Sequence, residues 1–163
     1  MIDVDTPVKL ASYLSLDRVV CGLETTSRKR LFEQLASLLV ADLDEHDEKV
    51  FFRALVEREK LGSTCVGEGV AIPHGRIDGL LEPRIAIVRL ADPVDYGARD
   101  KKPVSLVFAL LVPEAATDEH LKLLALLAEC LSDSGVRKRL DTAKNSQQLL
   151  DSLINLPIPK GTG

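Results

Sequence analysis

The segment Gly62-Ser63-Thr64-Cys65-Val66-Gly67-Glu68-Gly69-Val70-Ala71-Ile72-Pro73-His74-Gly75-Arg76 surrounds a histidine with small and stiffening residues. Glycine lets backbone approach a ligand closely, and Pro73 fixes the chain just before the imidazole. A histidine held this way presents one ring nitrogen for reaction, although imidazole is equally at home in ordinary surface or core sites. Two further residues favour the chemical reading. Arg58 continues the apolar face of a helix and keeps its charge at any usable pH. Its burial calls for an anion: either a carboxylate such as Glu68 or Asp78, or the oxygens of a phosphoryl group held by two parallel hydrogen bonds. His120 falls in the first turn of a later helix, behind Thr117 as a possible N-cap. Helix N-termini bind anions through free N–H groups and the dipole; plain helix-start packing is the other account of His120.

Other chemistries fit these residues less well. A zinc site from His74, His120 and Cys65 stays open, but no ligand spacing supports it. Ser63 or Thr64 as a nucleophile needs a base and an orienting acid, and no nucleophile-elbow pattern frames them. The glycines do not form the phosphate-loop pattern that ends in Lys-Ser/Thr. Asp42 to Glu48 with His46 lacks the spacing and glycine of a calcium loop, so it reads as a solvated loop.

The elements that must position these residues are legible as a coarse pattern. Val8 to Leu16 reads as a short helix and Arg18 to Cys21 as a strand. Thr25, Thr26 and Ser27 offer N-caps to a helix whose Leu31, Leu35, Leu38 and Leu39 form one stripe. A second helix spans about Asp47 to Lys60, with Val50, Phe51, Ala54 and Leu55 as its apolar face and Arg58 continuing it. Gly62 to Gly69 reads as a loop, and Val70 to Ile72 as a strand that ends at Pro73. Ile85 to Leu90 and Val104 to Val112 are β-branched runs expected as buried strands, with a loop between them from Ala91 to Pro103. A largely buried helix is expected from Thr117 to about Ser132, and an amphipathic one from Gln147 to Leu156. This order predicts a single layered α/β domain, a mixed β-sheet flanked by helices, over residues 1–157, with a flexible tail over 158–163.

Composition narrows the setting. The 163 residues carry a net charge of −4, which implies no general attraction to nucleic acid. The basic runs Arg28-Lys29-Arg30 and Arg137-Lys138-Arg139 read as solvated helix faces. Cys21, Cys65 and Cys130 are odd in number and widely spaced, which suggests reduced thiols rather than a disulfide framework. The N-terminus lacks a basic region followed by an apolar one. Leu121 to Leu131, interrupted by Lys122 and Glu129, is too short to span a bilayer. A cytoplasmic protein without membrane insertion is the expectation.

Two blocks of the sequence resemble a known family. Arg58-Glu59, Gly62-Ser63-Thr64 and Gly67 through Gly75 resemble the active-site signature of enzyme IIA proteins of the bacterial phosphotransferase system, in the fructose/mannitol/nitrogen-regulatory superfamily. Pro93-Val94-Asp95, Asp100, Pro103 through Glu114 and His120 through Leu124 form the second block. The similarity spans roughly residues 8 to 155 and looks most like the nitrogen-regulatory branch. It implies an α/β fold of the enzyme IIA mannitol/nitrogen-regulatory type. It implies that His74 is the phosphoryl acceptor (a tele-phosphohistidine), that Arg58 neutralises the phosphoryl group, and that His120 is the second active-site histidine. It implies no cofactor and no metal. The implied role is a histidine phosphocarrier and signalling protein rather than an enzyme with its own small-molecule turnover. The implied partners are a phosphocarrier protein of the HPr/NPr type and regulatory targets such as potassium-transport or sensor-kinase components. The alternative is a sugar-specific enzyme IIA that passes phosphate to a fructose/mannitol-type permease. Cys65 stands where many members have glycine.

Overall fold

The computed structural model describes residues 10–115 and 118–154. One six-stranded mixed sheet lies between two helical layers, in the order β1 (Val19–Leu23), β5 (Arg84–Val94), β6 (Val104–Pro113), β3 (Val70–Ala71) and β2 (Cys65–Gly67). A further strand, β4 (His74–Ile77), continues the line of β3 along β6. β5 and β6 are antiparallel, while β1 is parallel to β5, and β3 and β4 are parallel to β6.

Side chains alternate across a strand, and β6 shows how this divides the core. Leu106, Phe108, Leu110 and Val112 pack with Leu123, Leu127 and Leu131 of α3 (Asp118–Leu131), Val136 and Leu140 of α4 (Ser134–Asp141), and Leu149 and Leu153 of α5 (Ser146–Ile154). Val107, Ala109 and Leu111 face the other way, against Leu31, Leu35 and Leu39 of α1 (Arg28–Val40) and Phe51 and Leu55 of α2 (Glu48–Lys60). Both helices of this second layer have capped starts: Ser27 accepts from the Arg30 N–H, and Asp47 accepts from the Lys49 N–H.

The layered mixed sheet agrees with the sequence expectation, and several local readings change. The expected N-terminal helix is instead two 3-10 turns, Leu10–Tyr13 and Leu16–Arg18, separated by an extended Ser15; residues 8 and 9 lie outside the described ones. The Gly62 to Gly69 loop contains β2. Gly67, Glu68 and Gly69 all take positive φ, which reverses the chain tightly enough for Cys65–Gly67 to pair back on β3. β5 runs past Leu90, because an irregularity after Arg89 lets Val94 pair with Val104. Val50 is 43% exposed rather than part of the buried face of α2. α3 is buried on one side only: Ala125 is exposed, and Leu124, Leu126 and Ala128 are half-buried. The run Arg137-Lys138-Arg139, read from sequence only as a solvated helix face, belongs to a separate helix, α4; Lys138 and Arg139 form its solvated side, and Arg137 is half-buried. The last residues expected in α5, the tail 158–163 and the proposed N-cap Thr117 lie outside the described residues. No helix among the described residues is long and apolar enough to cross a membrane.

Candidate functional site

His74 opens β4 rather than sitting in a free turn. It lies opposite Leu110 of β6, where the Leu110 N–H donates to the Pro73 carbonyl at 2.9 Å. The ring is held at both nitrogens. Nδ1 lies 2.7 Å from the Ile72 carbonyl oxygen, and Arg58 Nε donates to Nε2 at 3.1 Å. A carbonyl oxygen only accepts and a guanidinium only donates, so the proton is on Nδ1 and the lone pair is on Nε2. Burial pushes the imidazole below the ordinary histidine range; Arg58 pushes the same way, and the Ile72 hydrogen bond opposes both. The ring is therefore neutral near pH 7, with its nucleophilic nitrogen turned toward Arg58.

The backbone explains how Arg58 reaches it. A Cβ at Gly75 would lie 3.2 Å from the Ala54 carbonyl oxygen: α2 crosses β4 so closely that any side chain there would push the helix back by a few tenths of an ångström. Arg58 is one helical turn beyond Ala54 and so follows it over the ring. Its Nη1 donates to the Gly62 carbonyl at 2.9 Å, which anchors the guanidinium at the end of the helix. The salt bridge to Glu68 or Asp78 weighed from sequence is not formed among the described residues; Glu68 is taken by Lys102 at 2.8 Å.

Arg58 and His74 line an open depression of about 550 Å³ with Ala54, Leu61, Leu110 and Leu124. Leu124 brings α3 to the same place. His120 lies in the first turn of that helix, but its side chain is outside the described residues. Cys65 donates from its thiol to the Val70 carbonyl at 3.2 Å, and burial raises its pKa, so the thiol stays protonated. Among the described residues no group of three or more His, Cys, Asp or Glu side chains is placed to hold a metal ion.

Sequence reasoning missed a buried cluster directly behind the site. Glu59 is 9%, Thr64 5% and Tyr96 1% exposed. Thr64 donates to Glu59 from its N–H at 2.7 Å and from its hydroxyl at 2.6 Å. The Tyr96 hydroxyl donates to Glu59 Oε1 at 2.6 Å. A signal was present: Phe51, Leu55 and Glu59 follow one another at helical spacing, so a carboxylate continues the buried stripe of α2.

Fold and site define a class: an α/β/α domain with an arginine-held histidine at the rim of its sheet. Residues 12–156 match the family described as phosphoenolpyruvate-dependent sugar phosphotransferase system, EIIA 2, and the chain belongs to that family. It is 43% identical over 149 residues to a nitrogen regulatory protein of Pseudomonas aeruginosa, covering 91% of this chain and 97% of that one. The crystal structure of the nitrogen regulatory protein IIA-Ntr from Neisseria meningitidis superposes with a TM-score of 0.83 at 42% identity, covering 88% of this chain and 98% of that one. The IIA mannitol structure from Escherichia coli shares the fold, with a TM-score of 0.70 at 22% identity over 86% of this chain and 98% of that one.

Proposed function

We propose that the chain is a phosphoryl-accepting regulatory protein of the nitrogen-related phosphotransferase branch. It is phosphorylated on His74 Nε2 by a phosphocarrier protein and binds its regulatory partners according to phosphorylation state. One observation carries the chemical half of this reading: the Ile72 carbonyl holds the proton on Nδ1, which leaves Nε2 as the nitrogen with a lone pair. The likeness to the Pseudomonas aeruginosa and Neisseria meningitidis nitrogen regulatory proteins supports the regulatory half.

In the proposed step the Nε2 lone pair attacks the phosphorus carried by the donor's phosphohistidine. The nitrogen–phosphorus bond of the donor breaks, and its electron pair returns to the donor ring. The His74 ring gains positive charge, with its proton still on Nδ1, and the Ile72 carbonyl stabilises that charge. Arg58 first releases Nε2 and then meets the phosphoryl oxygens, where its planar fork suits two of them. By the family resemblance, His120 is the third member of the set; its backbone precedes Leu124, which lines the depression, by one helical turn.

The test is incubation with phosphoenolpyruvate, enzyme I and a phosphocarrier, comparing the wild type with three variants. His74→Ala takes no label, and Arg58→Ala and His120→Ala take it slowly. Labelling of His74→Ala at the wild-type rate would overturn the site. Onward transfer of label to a sugar in the presence of membranes would replace the regulatory reading with the sugar-specific one.

A further inference from the structure

Both hydrogen bonds on the His74 ring trace back to one residue, Thr64. Its carbonyl accepts from the Ile72 N–H at 2.9 Å, and the Ile72 carbonyl holds Nδ1. Its side chain and N–H close onto Glu59, which clamps the turn between Glu59 and Thr64. That turn presents the Gly62 carbonyl, the anchor of Arg58 Nη1, while Arg58 Nε holds Nε2. The clamp is itself backed from the far side. Tyr96 donates to Glu59, and its hydroxyl lies 2.7 Å from that of Thr64. Arg28 in turn fixes Tyr96, donating to its carbonyl at 2.8 Å and lying over its ring. Burial, with the bond to Glu59 adding to it, keeps the Tyr96 phenol protonated and therefore a donor.

Burying so many polar atoms is costly unless each is satisfied. A leucine at position 59 would serve the core of α2 equally well, since Phe51 and Leu55 already form the stripe. What a leucine cannot do is bind the next turn by two hydrogen bonds and Tyr96 by a third. We propose that Glu59, Thr64 and Tyr96 are positioning residues for phosphoryl transfer, a buried bracket that sets Arg58 and the Ile72 carbonyl on opposite nitrogens of His74. None of the three touches the reacting atoms. Displacing a group by about 1 Å is enough to cost on the order of 100-fold in rate.

The inference rests on His74 being the acceptor, and its experiment separates the two claims. Glu59→Gln, Tyr96→Phe, Thr64→Val and Thr64→Ser are each examined while folded, with two readouts. The first is the nitrogen NMR signature of the His74 ring in unphosphorylated protein, which needs no transfer at all. The second is the initial rate of labelling over a range of phosphorylated-carrier concentrations. Glu59→Gln and Thr64→Val are expected to shift the Nε2 signal and to lower kcat by about 10- to 100-fold, with KM for the carrier changing by no more than about twofold. Tyr96→Phe moves both readouts in the same direction by less. Thr64→Ser, which keeps the hydroxyl, restores both. In an Arg58→Ala background, Glu59→Gln costs less than it does alone, because only the part that runs through Thr64 and the Ile72 carbonyl remains. An unshifted ring signal, or a full multiplicative loss without Arg58, overturns the proposal. Absence of label on the wild type overturns the acceptor reading instead, and the bracket is then judged on the ring signals alone.

Discussion

At the scale of residues, the site depends on a histidine kept neutral and a cation kept close to it without protonating it. Burial and Arg58 disfavour the charged ring, so its folded pKa lies below the ordinary value near 6.5. Only the neutral ring has a lone pair at Nε2. The labelling rate is therefore expected to be flat through neutral pH and to fall only well below that ordinary value; initial rates between about pH 5 and 8 check it. Stability follows with a definite sign. Between the two pKa values the unfolded chain binds the proton that the folded chain refuses. The contribution of His74 is thus fully present above about 6.5 and declines as pH falls toward the folded value. Thermal unfolding should show this decline in the wild type and less of it in His74→Gln. Arg58 carries a second prediction. A lysine keeps the charge but offers a single donor point, which cannot reach Gly62 and His74 together as the guanidinium does. Arg58→Lys should lower the labelling rate by about 100-fold, the usual effect of removing a donor aimed at developing charge. Near-wild-type labelling of that variant would show that charge alone suffices.

At the scale of elements, the contact between α2 and β4 decides where Arg58 stands. Gly75 allows it, because the nearest atom to a new Cβ is the Ala54 carbonyl oxygen at 3.2 Å, and backbone inside a packed helix yields little. Gly75→Ala gains roughly 0.5–1 kcal/mol from reduced chain freedom. It loses about 1–3 kcal/mol to overpacking, and the loss prevails. The expected result is a modest drop in denaturant midpoint together with slower labelling, since pushing α2 away lifts Arg58 from the ring. Unchanged stability and rate would mean that the helix position is not what sets the site. The same elements show what sequence reveals. Helices α1, α2, α3 and α5 and strands β5 and β6 are legible because their apolar residues repeat with the period of the element. Strand β2 was hidden because its three residues pair only once Gly67, Glu68 and Gly69 have turned the chain, and a glycine cluster reads as loop. The bracket was hidden for a different reason. Tyr96 lies in a stretch that reads as surface loop, and only closure of the sheet carries it to Glu59. His74 was picked out by its flanking glycines and Pro73, and Arg58 by its place on the helix face, with the family resemblance pairing them; the atoms that hold the ring were not legible.

At the scale of the whole molecule, the sheet divides the chain into a layer that builds the site and a layer that closes it. Helices α1 and α2 cover one face, and α3 to α5 cover the other, so the depression at His74 lies where the two layers meet the end of the sheet. Under the proposed function a phosphate donor has to bring phosphorus to Nε2, and therefore has to cover the rim of that depression. Much of the rim is apolar. Leu61, just past the end of α2, lines it with 83% of its surface exposed. An exposed leucine adds nothing to the fold, and burying one completely is worth about 1.5–3 kcal/mol. If the donor buries part of it, Leu61→Ser should raise KM for the phosphorylated carrier by about five- to tenfold with kcat unchanged, because the lost contact is made equally in the docked and reacting states. Unfolding should move by no more than about 0.5 kcal/mol, as for other surface substitutions. A fall in kcat at constant KM would place Leu61 with the bracket as a positioner of Arg58. No change in either constant would move the docking surface to another side of the depression.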